Sequence, residues 1–302
     1  MSAEFWEKTQ LFLSSWQLWG GAVAAATVTG AVCGFIGVYV ILHRMVFLSA
    51  AMSEVSSLGV MVAFWLAQSQ AVQSEQHTED LLPLLFAGLF TSVFSAAIAG
   101  GASARIGDRS KSSESLIGTV YLLSAAGLLL VGDRVTQGAH DVANILFGNA
   151  VAVDTPHLLL LIAVCAPIFI LHVLLRKDLV FVSYDPSMAA TLKYPVARLR
   201  IFLLVSLGMV ISLGTRTIGA LPVFSFSVLP PIACLAIFQD LKWSFWASAF
   251  AGATAAFLGY FASFVFSFPT GACMTVAAGL FLVIGRGYQL WRSYRESRVR
   301  RS

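Results

Sequence analysis

The sequence predicts an all-α fold, a polytopic bundle of eight or nine hydrophobic helices crossing a lipid bilayer. Three observations carry this expectation. Of 302 residues, 58% are hydrophobic, and the mean hydropathy is +0.82. Only 11% are charged, against about 25% in an ordinary soluble domain. The apolar residues also fall in repeated runs of roughly 20, which need lipid or neighbouring spans around them and do not read as one buried core. A bundle of this size is a single domain.

Taken in order, residues 1–19 form an N-terminal segment of their own. Phe5, Trp6, Phe12, Leu13, Trp16 and Trp19 recur at or close to three- and four-residue steps. That spacing suggests a short amphipathic helix lying at the membrane surface. Glu4 and Glu7 stand where the basic stretch of a cleaved signal peptide would be. Spans are expected near 20–42, 45–68, 81–104, 115–132, 156–176, 197–215, 218–238, 243–265 and 271–288. Each crosses, or nearly crosses, about 30 Å of hydrocarbon at about 1.5 Å per residue. Residues 134–153, around Gly148, are too polar for a full span and read as a short or re-entrant helix. The spans make up a membrane domain over 20–288, and 289–302 is a basic tail.

Charge gives the sides. His43 and Arg44 follow the first span, Arg105, Arg109 and Lys111 follow the third, and Arg176, Lys177, Lys193, Arg198 and Arg200 sit in the long central loop. Arg286, Arg292, Arg295, Arg298, Arg300 and Arg301 crowd the end, whereas the second loop carries Glu75, Glu79 and Asp80 with no Lys or Arg. Basic loops mark the cytoplasmic side, so an odd number of spans, N-terminus outside and C-terminus cytoplasmic, fits all of them. A basic tail of this kind on a soluble chain would suggest nucleic acid; after an apolar span it marks the side of the membrane, and no nucleic-acid partner is expected. Cys33, Cys165, Cys234 and Cys273 lie far apart inside apolar runs and read as small packing residues, with no disulfide framework. There is no G-x-x-x-x-G-K-[ST], H-E-x-x-H or G-x-S-x-G motif. If ATP drives this chain, another subunit hydrolyses it.

Four features bear on function. Glu54 stands near the middle of the second span, where an unpaired carboxylate facing lipid costs several kcal/mol. Ser49, Ser53, Ser56 and Ser57 share one helical face bordered by Glu54. This polar stripe reads as a substrate path or cation site, or as a hydrogen-bonded group that ties helices together. In the central loop, Asp185 is a good N-cap and Pro186 suits the first helical position, so a helix of about two turns is expected from there to Pro195. Met188, Ala189 and Leu192 give it an apolar face that needs a partner. Pro222, Pro230 and Pro231 in the seventh span are expected to kink it, either as a broken helix of the kind that lines transport pathways or as a passive bend. His140 beside Asp141 reads as surface or as a metal-binding pair at the outer mouth.

These pieces together resemble the permeases of ABC importers for zinc, manganese and iron, over about Gly34 to Gly285. The resemblance rests on the stretch from Gly34 to Leu42 with Arg44-Met45, on Glu114 to Gly118, and on Leu146-Phe147-Gly148-Asn149. It rests also on Asp185 to Pro195, on Gly219-Ala220-Leu221 with Pro230 and Ala233, and on Phe268-Pro269-Thr270-Gly271-Ala272. It implies a type II ABC importer fold and a dimer made with a second copy or a paralogue. It also implies separate ATPase subunits and an extracytoplasmic metal-binding protein. The resemblance further implies no covalently bound cofactor, a divalent metal ion as the transported substrate, and ATP on the partner. The Asp185–Pro195 helix would be the coupling helix that docks the ATPase through Asp185, Pro186, Met188, Ala189 and Leu192. The family usually carries Asp-x-x-x-His in the second span. Aligned on Phe47-Leu48 and Gly59, this chain has Ala50 and Glu54 there. An oxygen donor favours manganese or iron over zinc. The same change also suits a different substrate, a degenerate subunit that does not transport, or an ion-coupled secondary transporter in which Glu54 carries the proton.

Overall fold

The computed structural model describes residues 2–69, 111–135 and 155–299, together with Gly88, Phe90, Thr91, Val93, Phe94, Ile145 and Val153. Eleven helices and no strands are found among them. They are α1 (Ser2–Ser14), α2 (Trp16–Leu42), α3 (Val46–Ser69), α4 (Lys111–Gly132), α5 (Thr155–Leu174), α6 (Arg176–Tyr184), α7 (Pro186–Thr191), α8 (Val196–Ile218), α9 (Ala220–Ile237), α10 (Leu241–Phe266) and α11 (Thr270–Val299). Eight of these, α2–α5 and α8–α11, are long and apolar enough to cross a membrane. The expected span at 81–104 and the segment 134–153 lie largely outside the described residues.

Helix α2 is the hub of the bundle. It packs on α10, α9, α8 and α5, and its apolar residues run all round it, as a helix buried on every side requires. Hydrophobicity supplies no force between helices in lipid, so close backbone approach through small residues does the work. On α2 these are Gly30 and Gly34, and on α10 they are Ser248 and Gly252. A Cβ on Gly30 or Gly252 would run into the other's carbonyl, and one on Gly34 would run into that of Ser248. The Ser248 hydroxyl then donates to the Gly34 carbonyl at 2.6 Å, buried between the two helices.

The prolines behave in two ways. Pro222, expected to bend its span, lies in the first turn of α9, where a helix needs no N–H. Pro230 and Pro231 do lie inside α9, and Pro231 has no N–H to offer the Ser227 carbonyl one turn back. Gly37 of α2 sits against that carbonyl and the Pro231 ring, leaving no room for a Cβ. The sharpest break comes earlier. Gly219 alone joins α8 to α9, with φ 94° and ψ 160°, a conformation open essentially only to glycine.

At one end of the bundle, α1 is pinned to α10. Phe12 is buried among Trp16, Tyr260, Phe261 and Phe264. The Lys8 ammonium donates to the Val265 carbonyl in the last turn of α10 at 3.0 Å, where a cation suits the helix dipole. Trp6, Leu11 and Leu13 stay exposed. Trp16 and Trp19 belong instead to α2, which begins four residues before the expected span. At the opposite end, the α2–α3 turn meets α6, and α7 packs on α6 and α8. Helix α11 runs on to Val299, so most of the expected tail continues the last span.

Candidate functional site

The polar stripe of α3 divides in the structure. Ser49, Ser53 and Ser57 are buried and turn their hydroxyls onto their own helix, donating to the carbonyls of Val46 (2.9 Å), Ala50 (2.9 Å) and Ser53 (2.8 Å). Ser53 and Glu54 also line a cavity of about 240 Å³, together with Ala50. Ser49 and Ser57 do not line it. At roughly 100° per residue, Ala50, Ser53 and Glu54 share an arc that Ser49 and Ser56 leave. The remaining wall is Tyr121 from α4 and Ala220, Leu221 and Phe224 from α9. The Gly219 joint sets that first turn of α9 beside α3.

Glu54 is half-buried, and its Oε2 atom is buried with no hydrogen-bond partner among the described residues. A carboxylate in such a place calls for a cation or a proton. The cavity offers it one acidic group and one phenol, and Ala50 brings no ligand. No group of three or more His, Cys, Asp or Glu that could hold a metal is found among the described residues. His140 and Asp141 lie outside those residues. The cysteines are free, and Cys33, Cys165 and Cys234 are buried.

Two histidines, His172 and His43, are accounted for by hydrogen bonds. His172 of α5 is fully buried. Its Nδ1–H donates to the Ile168 carbonyl at 2.9 Å, and Nε2 lies 3.2 Å from the Ser206 hydroxyl, which shares its hydrogen with the Leu203 carbonyl at 3.0 Å. Neither nitrogen is left for a metal. A lone His within the apolar run of the fifth span was the only signal for it. His43, in the α2–α3 turn, reaches α6. The Ser183 hydroxyl donates to the Leu179 carbonyl at 2.6 Å, so His43 Nε2–H donates to Ser183 Oγ at 2.8 Å. Burial, and secondarily the charge of Arg200, pushes the His43 imidazole down to about 4.

Helix α7 starts as expected and stops sooner. Asp185 Oδ1 accepts from the amides of Ser187 (3.1 Å) and Met188 (2.9 Å) and from the Ser187 hydroxyl (2.6 Å), with Pro186 at the helix start. The Met188 amide, then the Ser187 hydroxyl, holds the Asp185 carboxyl below its ordinary value. The helix ends at Thr191, where Lys193 takes the left-handed conformation at φ 61° and Tyr194 N–H donates back to the Ala189 carbonyl. Pro195 therefore precedes α8 and does not terminate α7. The apolar face also splits: Ala189 is buried against the bundle, while Met188 and Leu192 are each 56% exposed.

The profile of the ABC 3 transport family matches residues 16–288. The chain belongs to that family. Its ABC 3 region takes in the eight apolar helices almost entirely and leaves out α1 and the end of α11. Among curated relatives, it is 25% identical over 268 residues to the chelated iron transport system membrane protein YfeD of Yersinia pestis, covering 88% of this chain and 84% of that one. It is 25% identical over 258 residues to the manganese transport system membrane protein MntC of Halalkalibacterium halodurans, covering 85% and 82%. Among solved structures, PsaBC from Streptococcus pneumoniae in complex with Fab matches with a TM-score of 0.77 at 24% identity, covering 98% of this chain and all of that one. An inward-facing putative metal-chelate type ABC transporter matches with a TM-score of 0.70 at 16% identity, covering 89% and 87%. The structural matches show that the helices take the same fold as those two chains.

Proposed function

We propose that this chain is the membrane-spanning permease subunit of an ATP-driven importer of divalent metal ions, with manganese or iron preferred over zinc. The observation that carries the reading is Glu54. Glu54 lines a cavity and carries one buried, unpartnered carboxylate oxygen, at the position where the family resemblance expects a metal-path histidine. Carboxylate oxygen suits the harder cations, and the names of the relatives from Y. pestis and H. halodurans point to chelated iron and manganese. Ser53 flanks Glu54 on the path, with Ser49 and Ser57 behind it. His140 and Asp141 are proposed as further metal contacts.

In this reading two permease chains, this one and a second copy or a paralogue, form the membrane unit. A separate ATPase hydrolyses ATP and docks on α7, where exposed Met188 and Leu192 supply the contact and Asp185 and Pro186 hold the helix start. An extracytoplasmic metal-binding protein delivers the ion. Alternating access in the inner membrane, with the C-terminus cytoplasmic, carries it past Glu54. The test is uptake of radioactive manganese, iron and zinc into proteoliposomes holding the permease with its ATPase and binding protein. Wild-type uptake that needs ATP, and falls with Glu54→Gln, supports the reading. Uptake unchanged in Glu54→Gln removes Glu54 from the path. ATP-independent, proton-coupled uptake would replace the importer with a secondary transporter.

A further inference from the structure

A second cavity, of about 470 Å³, lies between α6 and the start of α10, away from Glu54. Three cations line it, Arg176 and Lys177 from α6 and Lys242 from α10, with no acidic residue in the lining. Its apolar wall includes Val180, Leu241 and Phe245. Arg176 and Lys177 are the second and third residues after the span of α5 ends at Leu174, and Lys242 is the second residue of the span of α10. The cavity thus sits where the hydrocarbon meets water. Trp243 and Trp246, both exposed on the same turns of α10, belong at that depth, where tryptophan favours the headgroup layer. None of the three cations makes an ion pair among the described residues. The acid nearest in sequence to Lys242, Asp240, caps α10 by accepting from the Lys242 amide at 2.9 Å.

We propose that this cavity is a binding site for an anionic phospholipid, its headgroup phosphate held by Arg176, Lys177 and Lys242 and the start of an acyl chain laid along Val180, Leu241 and Phe245. Basic pockets between spans at the membrane surface take such headgroups. A soluble anion would gain nothing from the apolar wall, whereas a lipid uses both halves of the site. Because α6 leads directly into α7, a lipid bound here would brace the segment that carries α7. The binding itself depends on neither metal nor ATP, so it stands or falls separately from the importer reading.

The test is native mass spectrometry of the full-length protein in its assembled complex, titrated with palmitoyl-oleoyl phosphatidylglycerol or phosphatidylcholine. The phosphatidylglycerol should bind more tightly, by roughly fivefold for each cation engaged and on the order of a hundredfold for three. R176Q/K177Q/K242Q should lose most of that preference, and R176K/K177R/K242R should keep it. K242Q alone, at an exposed position, should weaken it by roughly fivefold with the fold undisturbed. A tail variant, R292Q/R295Q/R298Q, should leave it in place. The site is refuted by a preference unchanged in R176Q/K177Q/K242Q, or by one abolished by the tail variant alone. It is also refuted by displacement of the lipid with millimolar inorganic phosphate, which would mark a free-anion site. Absence of lipid binding from the assembled complex, which would mean that the ATPase covers the site, refutes it too.

Discussion

Gly30 of α2 and Gly252 of α10 lie backbone to backbone, each occupying the space into which a Cβ on the other would project. This contact lets the Ser248 hydroxyl reach the Gly34 carbonyl one turn away. Gly30→Ala and Gly252→Ala should each force the two helices apart and destabilise the protein by about 1–3 kcal/mol. Gly279→Ala is the control, because nothing lies within 4 Å of a Cβ there. Thermal unfolding in detergent should show a drop for the first two and none for the third. Equal melting temperatures for all three would mean that the α2–α10 crossing yields without cost.

The joint between α8 and α9 gives a second test. Gly219 has a backbone that a Cβ strains, at a cost of about 1–3 kcal/mol. Relief of that strain would rotate the first turn of α9, which carries Ala220, Leu221 and Phe224 into the wall of the Glu54 cavity. Gly219→Ala should therefore lower both thermal stability and uptake, while Gly118→Ala, with open space around it, should lower neither.

His43 links stability to pH. In the folded protein its imidazole stays neutral down to about pH 4, against an ordinary value of 6.5. Between these limits the unfolded chain binds a proton that the folded one does not. Its contribution is therefore intact above about pH 6.5 and is lost as the pH falls towards 4. The melting temperature of the wild type should decline over that interval, and His43→Gln should flatten part of the decline. An identical pH profile in the two proteins would remove His43 as the cause.

Local signals and long-range pairings were not equally legible in the sequence. The spans announce themselves as runs of apolar residues, and the start of α7 is written in Asp185 and Pro186, because a helix cap is made by adjacent residues. The end of α7 comes before the expected Pro195, because Lys193 in a left-handed turn carries no signature as clear as a proline. The α8–α9 joint at Gly219 lies two or three residues beyond the expected break, since a one-residue break inside a continuous apolar stretch leaves no polar loop to mark it. Glu54 was visible as a lone charge, but Tyr121 and Phe224 were not visible as its neighbours. They come from helices far along the chain, and in lipid the contact face of a helix is set by small residues and shape more than by an apolar stripe. His172 is a buried polar residue whose Ile168 partner lies one turn back on α5, whereas Ser206 comes within reach only when α5 and α8 pack together.

The pairing of Ala50 with Glu54 leads to a prediction about selectivity. Both side chains line one cavity, one turn apart on α3, so both can face one ion. Ala50→Asp with Glu54→His would restore the pair that the family resemblance expects and replace one oxygen donor with an oxygen and a nitrogen. Imidazole suits zinc better than a carboxylate does, and thiolate is not needed for the difference. In proteoliposomes competing manganese against zinc, the double variant should shift the uptake ratio towards zinc relative to wild type. Ala50→Asp alone, which adds only oxygen, should raise uptake of manganese without that shift. If the double variant leaves the ratio where the wild type has it, ion choice is made elsewhere than at the Glu54 cavity, and the carboxylate there acts on the rate of passage alone.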